Sequence, residues 1–310
     1  AGEALIIQRS WPHGHVAAVL GAARRLELES LLDPRPSDQR DLVLAMIVAR
    51  VLHPASKLAT TRLLSTTSLG SLLGLDEATG DELYAAMDWL LARQGRIERR
   101  LARRYLQPGG VVLYDLSSTY VEGEHCALAK RGYSRDGRPG KAQVEFGLLC
   151  NAEGVPVAIE AFAGNTADPA TFPSQVEKVK ERFGVAEVVW VADRGMLTSA
   201  QVAKLREVVG ASWITALRAP SIKQLVEVGS IQLSLFDTQN LAEVTDPGYP
   251  GERLVVCYNP LLAEKRARKR EELLVATEKE LAKVAAMVER GTAGGRAGLQ
   301  GAAAIGERVG

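Results

Sequence analysis

Two short apolar runs in this chain each deliver a carboxylate, and together they are the residues most able to do chemistry. The first is Val111-Val-Leu-Tyr-Asp115-Leu-Ser-Ser-Thr-Tyr120. The second, Glu187-Val-Val-Trp-Val-Ala-Asp193-Arg-Gly-Met196, places its aspartate 78 positions further on. Both runs read as buried-type strands. Period-2 alternation puts Val111, Leu113 and Asp115 on one face, and likewise Val189, Val191 and Asp193. If the strands are parallel neighbours, about 4.8 Å apart, their carboxylates can hold one or two hard divalent ions such as Mg²⁺ (or Mn²⁺). That arrangement suits phosphoryl transfer, in which one ion activates the attacking oxygen and a second stabilises the leaving one. Taken singly, either Asp reads more readily as a turn or cap residue. The argument rests on the pair.

Other acids compete for the role. Glu122 and Glu124 follow the first run, and Glu160 lies inside a later strand. Asp168, directly before Pro169, reads as a helix cap, and Asp136 as a turn residue. A basic loop, Lys130-Arg-Gly-Tyr-Ser-Arg-Asp-Gly-Arg-Pro-Gly-Lys141, carries Lys130, Arg131, Arg135, Arg138 and Lys141 against Asp136 alone. Beside a metal site it could grip a phosphate backbone, and a solvated loop is the competing reading. Arg194, next to Asp193, could touch a scissile phosphate or pair with a carboxylate. His13, His15, His53 and His125 show no ligand spacing, and Cys126 beside His125 has no third partner for thiol catalysis. There is no Walker loop and no dinucleotide fingerprint.

The elements that must position these residues follow from patterning. Residues 1–107 read as helical. Asp38–Leu52 is apolar on most faces, with Asp38 as cap, and His53-Pro54 ends it. Asp81–Leu106 reads as one long helix with an apolar stripe. Its polar side carries Arg93, Arg96, Arg99, Arg100, Arg103 and Arg104, either a solvated face or one that meets phosphates. Gln107-Pro-Gly-Gly110 is a break. Val111–Val121, Gln143–Cys150 and Val155–Phe162 are strands, with the turn Asn151-Ala-Glu-Gly154 between the last two. Pro169–Phe183 is a helix, Glu187–Ala192 a strand, Thr198–Val209 a helix capped by Thr198, and Ser212–Leu217 a strand. The order β-β-β-α-β-α-β is that of an RNase H-like domain, a likeness of fold only. Beyond Pro220 a helix at Ser221–Val228, a strand at Arg253–Tyr258 and a long charged helix at Leu261–Arg290 are expected. The glycine-rich stretch Gly291–Gly310 reads as flexible.

Composition excludes little. The chain has 310 residues, 46% hydrophobic and 24% charged, with a formal net charge of +1. Near-neutral charge neither supports nor opposes nucleic-acid binding, so that case rests on local clusters. No apolar run reaches the roughly 18 residues of a membrane span, and Ala1–Ile7 is too short and acidic for a secretory signal. The scattered Cys126, Cys150 and Cys257 point to reduced thiols in a cytoplasm.

Several segments together resemble a known family. They are Ser10-Trp-Pro-His-Gly-His15, Leu42–Thr60 with His53-Pro-Ala-Ser-Lys-Leu, Tyr114-Asp-Leu-Ser-Ser-Thr-Tyr120, Gly132-Tyr-Ser-Arg-Asp-Gly-Arg-Pro139, Gly164-Asn-Thr and Val191-Ala-Asp-Arg-Gly-Met196. The combination resembles insertion-sequence transposases of the IS4-like group, whose DDE catalytic domain has the RNase H-like fold. The resemblance runs over essentially the whole chain. It implies an α/β chain with three parts: a helical N-terminal region (1–107), an RNase H-like mixed sheet as catalytic core (108–219) and a partial insertion region (220–310). It implies that Asp115 and Asp193 are the first two members of the triad. It further implies Mg²⁺ (or Mn²⁺), DNA partners (transposon ends and target), a homodimer, no membrane contact, and DNA strand cleavage and joining. Phosphate contacts fall to Lys130, Arg131, Arg135, Arg138, Lys141 and Arg194. The family's third acid is a Glu in a Tyr-x₂-Arg-x₃-Glu-x₆-Lys context. Aligned on Tyr258, its Arg position is Leu261 and its Glu position is Lys265, so the third acid is expected beyond residue 310. Three readings follow: a transposase, a DNA-binding transposase fragment that is catalytically incomplete, and a metal-dependent nuclease of the same fold.

Overall fold

The computed structural model describes residues 9–237 and 239–289. The expectations for Ala1–Ile7 and for Gly291–Gly310 lie outside the described residues. The chain forms two compact units, 1–216 and 217–310.

Among the described residues the first unit begins with seven helices: α1 (Gly14–Arg25), α2 (Leu28–Leu32), α3 (Asp38–Leu52), α4 (Lys57–Thr66), α5 (Ser68–Leu73), α6 (Gly80–Leu91) and α7 (Gln94–Tyr105). Their starts follow local capping chemistry. Ser37, not Asp38, caps α3 by accepting the Arg40 N–H, Ser56 caps α4, and Thr79 with Glu82 forms a reciprocal capping box on α6. The α3 stretch is apolar on most faces because it sits at the centre of the helical core, where Leu42, Val43, Leu44, Ala45 and Val48 are all buried.

The single helix expected over Asp81–Leu106 is two helices that part at Ala92 and Arg93. The apolar stripe is continuous in sequence but serves two cores. Leu83 and Ala86 of α6 pack among the helices, whereas Ala102 of α7 and Leu106 just after it pack against the sheet. At the joint the Arg93 guanidinium lies 3.8 Å over the Trp89 ring and bonds to Asp33, which holds the change of direction.

The sheet comprises β1 (Gly110–Val121), β2 (Lys130–Arg131), β3 (Ala142–Asn151), β4 (Pro156–Ala163), β5 (Val188–Val191) and β6 (Ala211–Ile214), with α8 (Asp168–Glu177) before β5 and α9 (Ser199–Arg206) before β6. A π-helical turn at Lys178–Arg182 extends α8. The strand order is β4-β3-β1-β5-β6, with the short β2 pairing the first two residues of β3, ahead of β4. The β1–β3 and β3–β4 pairs are antiparallel, whereas β1–β5 and β5–β6 are parallel. Counted without β2 this is the 3-2-1-4-5 order of an RNase H-like mixed sheet, the fold class expected from the order of elements.

One face of the sheet is closed. Val112, Tyr114 and Leu116 of β1, Leu149 of β3 and Trp190 of β5 are buried with Phe172 of α8, Leu205 of α9 and Met196 in the turn before α9. Phe172 meets the edge of Trp190 at a centroid distance of 5.1 Å. Gly147 on β3 is required here, since a Cβ would collide with the Tyr114 ring. The free edge of β4 is also covered: from α7, Gln94 donates to the Ile159 carbonyl and Glu98 accepts the Ile159 N–H, which satisfies an otherwise open strand edge.

The second unit contains α10 (Ala219–Glu227), the antiparallel pair β7 (Leu241–Val244) and β8 (Leu254–Cys257), and α11 (Pro260–Glu289). Its small core joins Leu225, Ile231, Val244 and Leu254. Among the described residues no single helix is long and apolar enough to cross a membrane.

Candidate functional site

The pairing of β1 with β5 decides how the two aspartates relate. Leu113 is paired with Val191, and Val111 with Val189. Asp115 and Asp193 each lie two residues past that last pair, so they share the same offset of 78 positions in adjacent parallel strands. β5 stops at Val191. β1 runs on past Asp115 to Val121, the end its sequence predicts, paired with β3 throughout. Asp115 is therefore mid-strand, at the point where β5 leaves the sheet. It alternates away from buried Tyr114 and Leu116 and is exposed on the face opposite the helix-covered one.

Each carboxylate is held through one oxygen. Asp193 Oδ1 accepts the N–H groups of Gly195 (3.0 Å) and Met196 (2.8 Å), so it closes the turn that leads into α9. Asp115 Oδ1 accepts the Leu116 N–H at 2.9 Å. The Oδ2 atoms of both accept no hydrogen bond among the described residues. Two oriented, exposed carboxylates with free oxygens match the hard-donor preference of Mg²⁺ or Mn²⁺, with water filling the remaining positions. Among the described residues no group of three His, Cys, Asp or Glu side chains converges as a metal cage.

The basic loop is built on two buried polar residues that sequence reasoning passed over. Gln143, fully buried on β3, has an amide whose nitrogen donates to the Tyr133 carbonyl and Ser118 Oγ and whose oxygen accepts the Ser134 N–H, each at 3.1–3.2 Å. Glu145, two residues on, is 2% exposed and lies 3.3 Å from Arg135, which also bonds Asp168 at 2.6 Å. Their signal in the sequence is two polar residues at the inward positions of a strand whose later inward positions are Gly147 and Leu149. Burial pushes the Glu145 carboxyl upward, and Arg135 offsets this only in part. Two expectations change here. Arg135 is turned inward and engaged by two carboxylates, so it anchors the loop and offers no free cation. Asp168 does not cap α8, whose cap position is Ala167; its carboxylate is drawn to Arg135 instead.

The remaining expected cations stay outward. Lys130, Arg131, Arg138, Lys141 and Arg194 are exposed and form no ion pair among the described residues. Arg138 lies over the Tyr120 ring at 5.3 Å. Tyr133 is 77% exposed at the crest of the loop. The other acids stay apart from the pair: Glu160 bonds Lys178 and Gln175, and Glu122 and Glu124 are exposed beyond β1.

The arginines of α7 behave differently from either sequence reading. Arg93 and Arg96 bond Asp33, Arg100 donates to the Ser30 and Leu31 carbonyls, and Arg104 pairs with Glu27. These four tie α7 and the residue before it to α2 and its flanks, from Glu27 to Asp33. Only Arg99 and Arg103 are exposed and without an ion pair among the described residues.

No protein-family model matches this chain, and no curated protein does. Among solved structures, it is similar to a piggyBac transposase in a synaptic complex with hairpin DNA at 13% identity and a TM-score of 0.36, over 77% of this chain and 60% of that one. It is similar to Mos1 transposase in a paired-end complex with the left transposon end at 11% identity and a TM-score of 0.23, over 62% of each chain. A Mos1 mariner paired-end complex with Mn gives 13% identity and a TM-score of 0.23, over 64% of this chain and 73% of that one. The chain thus spans about three fifths of the length of the piggyBac protein. Scores this low carry no argument, and the RNase H-like class stands on the strand order alone.

Proposed function

We propose that this chain is a DDE-type transposase of the insertion-sequence, IS4-like kind, which cleaves and joins DNA strands at transposon ends by metal-dependent phosphoryl transfer. The observation that carries the reading is the matched register of Asp115 and Asp193 past the last β1–β5 pair, in the strand order expected of this fold. Asp115 and Asp193 would hold Mg²⁺ or Mn²⁺ through their free Oδ2 atoms. A divalent ion bound there supplies an activated water or hydroxyl nucleophile and stabilises the leaving oxygen. The turn N–H groups on Asp193 keep its carboxylate aimed, as partners behind a metal ligand do. Lys130, Arg131, Arg138, Lys141 and Arg194 contact phosphates of the bound DNA, and Arg135 supports the loop from beneath. The division into a helical region (1–107), a catalytic core (108–219) and an insertion region (220–310), action as a homodimer on paired ends, and work in the cytoplasm belong to the same proposal.

The test is Mn²⁺ binding by calorimetry together with cleavage of a labelled transposon-end duplex. Asp115→Asn and Asp193→Asn are each expected to abolish metal binding with little change in the unfolding midpoint. Full Mn²⁺ affinity in either variant would show the assignment to be wrong. A second reading, a DNA-binding fragment without full activity, is favoured by the lack of a third convergent acid among the described residues. Specific end binding without any cleavage in Mn²⁺ would select it. Cleavage without joining of a pre-cut end would select a nuclease of the same fold.

A further inference from the structure

The loop between β2 and β3 is unusual in how firmly its root is held and how fully its crest is exposed. Gln143 clamps the backbone on both sides of the Tyr133–Ser134 peptide from a fully buried position. Arg135, one residue further, is tied to Glu145 and Asp168. Behind Tyr133, Gly132 lies so close to the Gly164 carbonyl that a Cβ would collide with it. An ordinary solvated loop has no need of a buried amide, a double ion pair and a glycine contact within four consecutive residues. Yet the side chain at the centre of these anchors, Tyr133, is 77% exposed. A large aromatic ring left in water on a fixed backbone loses little freedom when it meets a partner, which is the preorganisation that favours binding.

The surroundings say what the partner is. The exposed neighbours are Lys130, Arg131, Arg138 and Lys141, with Asp136 the one acid in the stretch 130–141. An aromatic ring in a stretch rich in exposed cations fits an anionic chain that also carries flat rings. Single-stranded nucleic acid has this chemistry: cations follow the phosphates while an aromatic side chain stacks on an exposed base. A fully paired duplex offers the phosphates but hides the faces of its bases in the stack.

We propose that Tyr133 is a stacking platform for an unpaired nucleotide of DNA, flanked by the loop cations, so that this surface prefers an open or single-stranded end to a closed duplex. The inference rests on the DNA-processing reading above and adds to it the structural state of the DNA at the loop.

The experiment uses the full chain in EDTA, so that no metal chemistry intervenes. Two probes differ only at one end: a blunt duplex, and the same duplex with a short single-stranded overhang carrying 2-aminopurine, whose fluorescence falls on stacking. Wild type is expected to bind the overhang roughly 10-fold more tightly, the effect of stacking about one base, with quenching. Tyr133→Ala is expected to lose both the preference and the quenching while keeping blunt-duplex affinity, and Tyr133→Phe to keep both. Lys130→Ala and Arg138→Ala should weaken both probes alike. An exposed Tyr133 gives Tyr133→Ala an unchanged unfolding midpoint. An undiminished overhang preference in folded Tyr133→Ala overturns the stacking proposal and leaves the DNA reading standing. Failure of wild type to bind either probe overturns both.

Discussion

The helix α7 and the loop at residues 130–141 are both arginine-rich, and the sequence gives no reason to treat them differently. The structure does. On α7, the cations at 93, 96, 100 and 104 lie toward α2 and are taken up by Asp33, Glu27 and the carbonyls that end α2. A helix end leaves unsatisfied carbonyl groups, and a neighbouring arginine row is one way of satisfying them. In the loop, one arginine is half-buried and paired as an anchor and the other cations are left in water. Clustered charge thus marks an interface of some kind, but the partner can be the protein's own backbone. What separates the two cases is whether acceptors lie within reach, and this depends on tertiary packing.

The sharpest way to break this contrast is to remove the carboxylate that ties α7 to the sheet. Glu98 is 3% exposed and serves Gln94, the Ile159 N–H and Arg182. Glu98→Ala leaves a half-buried N–H and a guanidinium without their acceptor, so a loss of about 2 kcal/mol in unfolding free energy is expected, measured by urea denaturation. Arg100→Ala removes two bonds to α2 carbonyls and is expected to cost about 1 kcal/mol with no change in DNA affinity. The loop cations should show the opposite profile. Arg131→Ala and Lys141→Ala are expected to leave stability within about 0.5 kcal/mol and to reduce the slope of log affinity against log salt by about 1 each. An unchanged slope would make the loop a bystander. Arg99→Ala with Arg103→Ala tests the remainder of α7: stability stays within about 0.5 kcal/mol, and any loss of DNA affinity would show that the outer face of this helix also meets phosphates.

Much of the sheet is legible in the sequence, for a physical reason. A strand buried on a helix-covered face must alternate or be wholly apolar, and the runs at 111–121, 143–150, 155–162 and 187–192 do so, which yields the strands and their order along the chain; the adjacency of the Asp115 and Asp193 strands followed only from the likeness of that order to a known fold. The parts that are not legible are those where a tertiary partner overrides a local rule. Asp168 precedes Pro169 as a cap should, yet a nearby guanidinium outcompetes the helix N-terminus for its carboxylate. The stripe from Leu83 to Leu106 keeps helical period across Ala92 because two separate cores happen to need apolar residues in phase. The two residues of β2 lie in a cationic loop and pair with β3 through backbone alone. Gln143 and Glu145 look like solvent-facing strand residues until the loop that covers them is in place.

The same contrast extends to pH, where the two anchoring carboxylates are expected to act in opposite directions. Asp33 is held well below the usual carboxylate range, first by the Arg96 guanidinium, then by the Arg35 backbone N–H and by Arg93. Its contribution is present above the ordinary unfolded value near 4 and is lost as pH falls below it, because the unfolded chain then takes up a proton that the folded chain refuses. Glu145 is pushed upward by burial, and Arg135, shared with Asp168, offsets this only in part. The folded state binds that proton more tightly than the unfolded one, so its contribution is greatest below the unfolded value and declines as pH rises through the raised folded one. Unfolding midpoints measured from acid to neutral pH separate the two. Asp33→Asn should flatten the acid limb. Glu145→Gln should remove a decline on the neutral side, a smaller effect because Arg135 keeps Asp168 as a partner. If Glu145→Gln instead steepened that decline, the ion pair would outweigh the burial, and the loop would be anchored by the same electrostatic balance as α7.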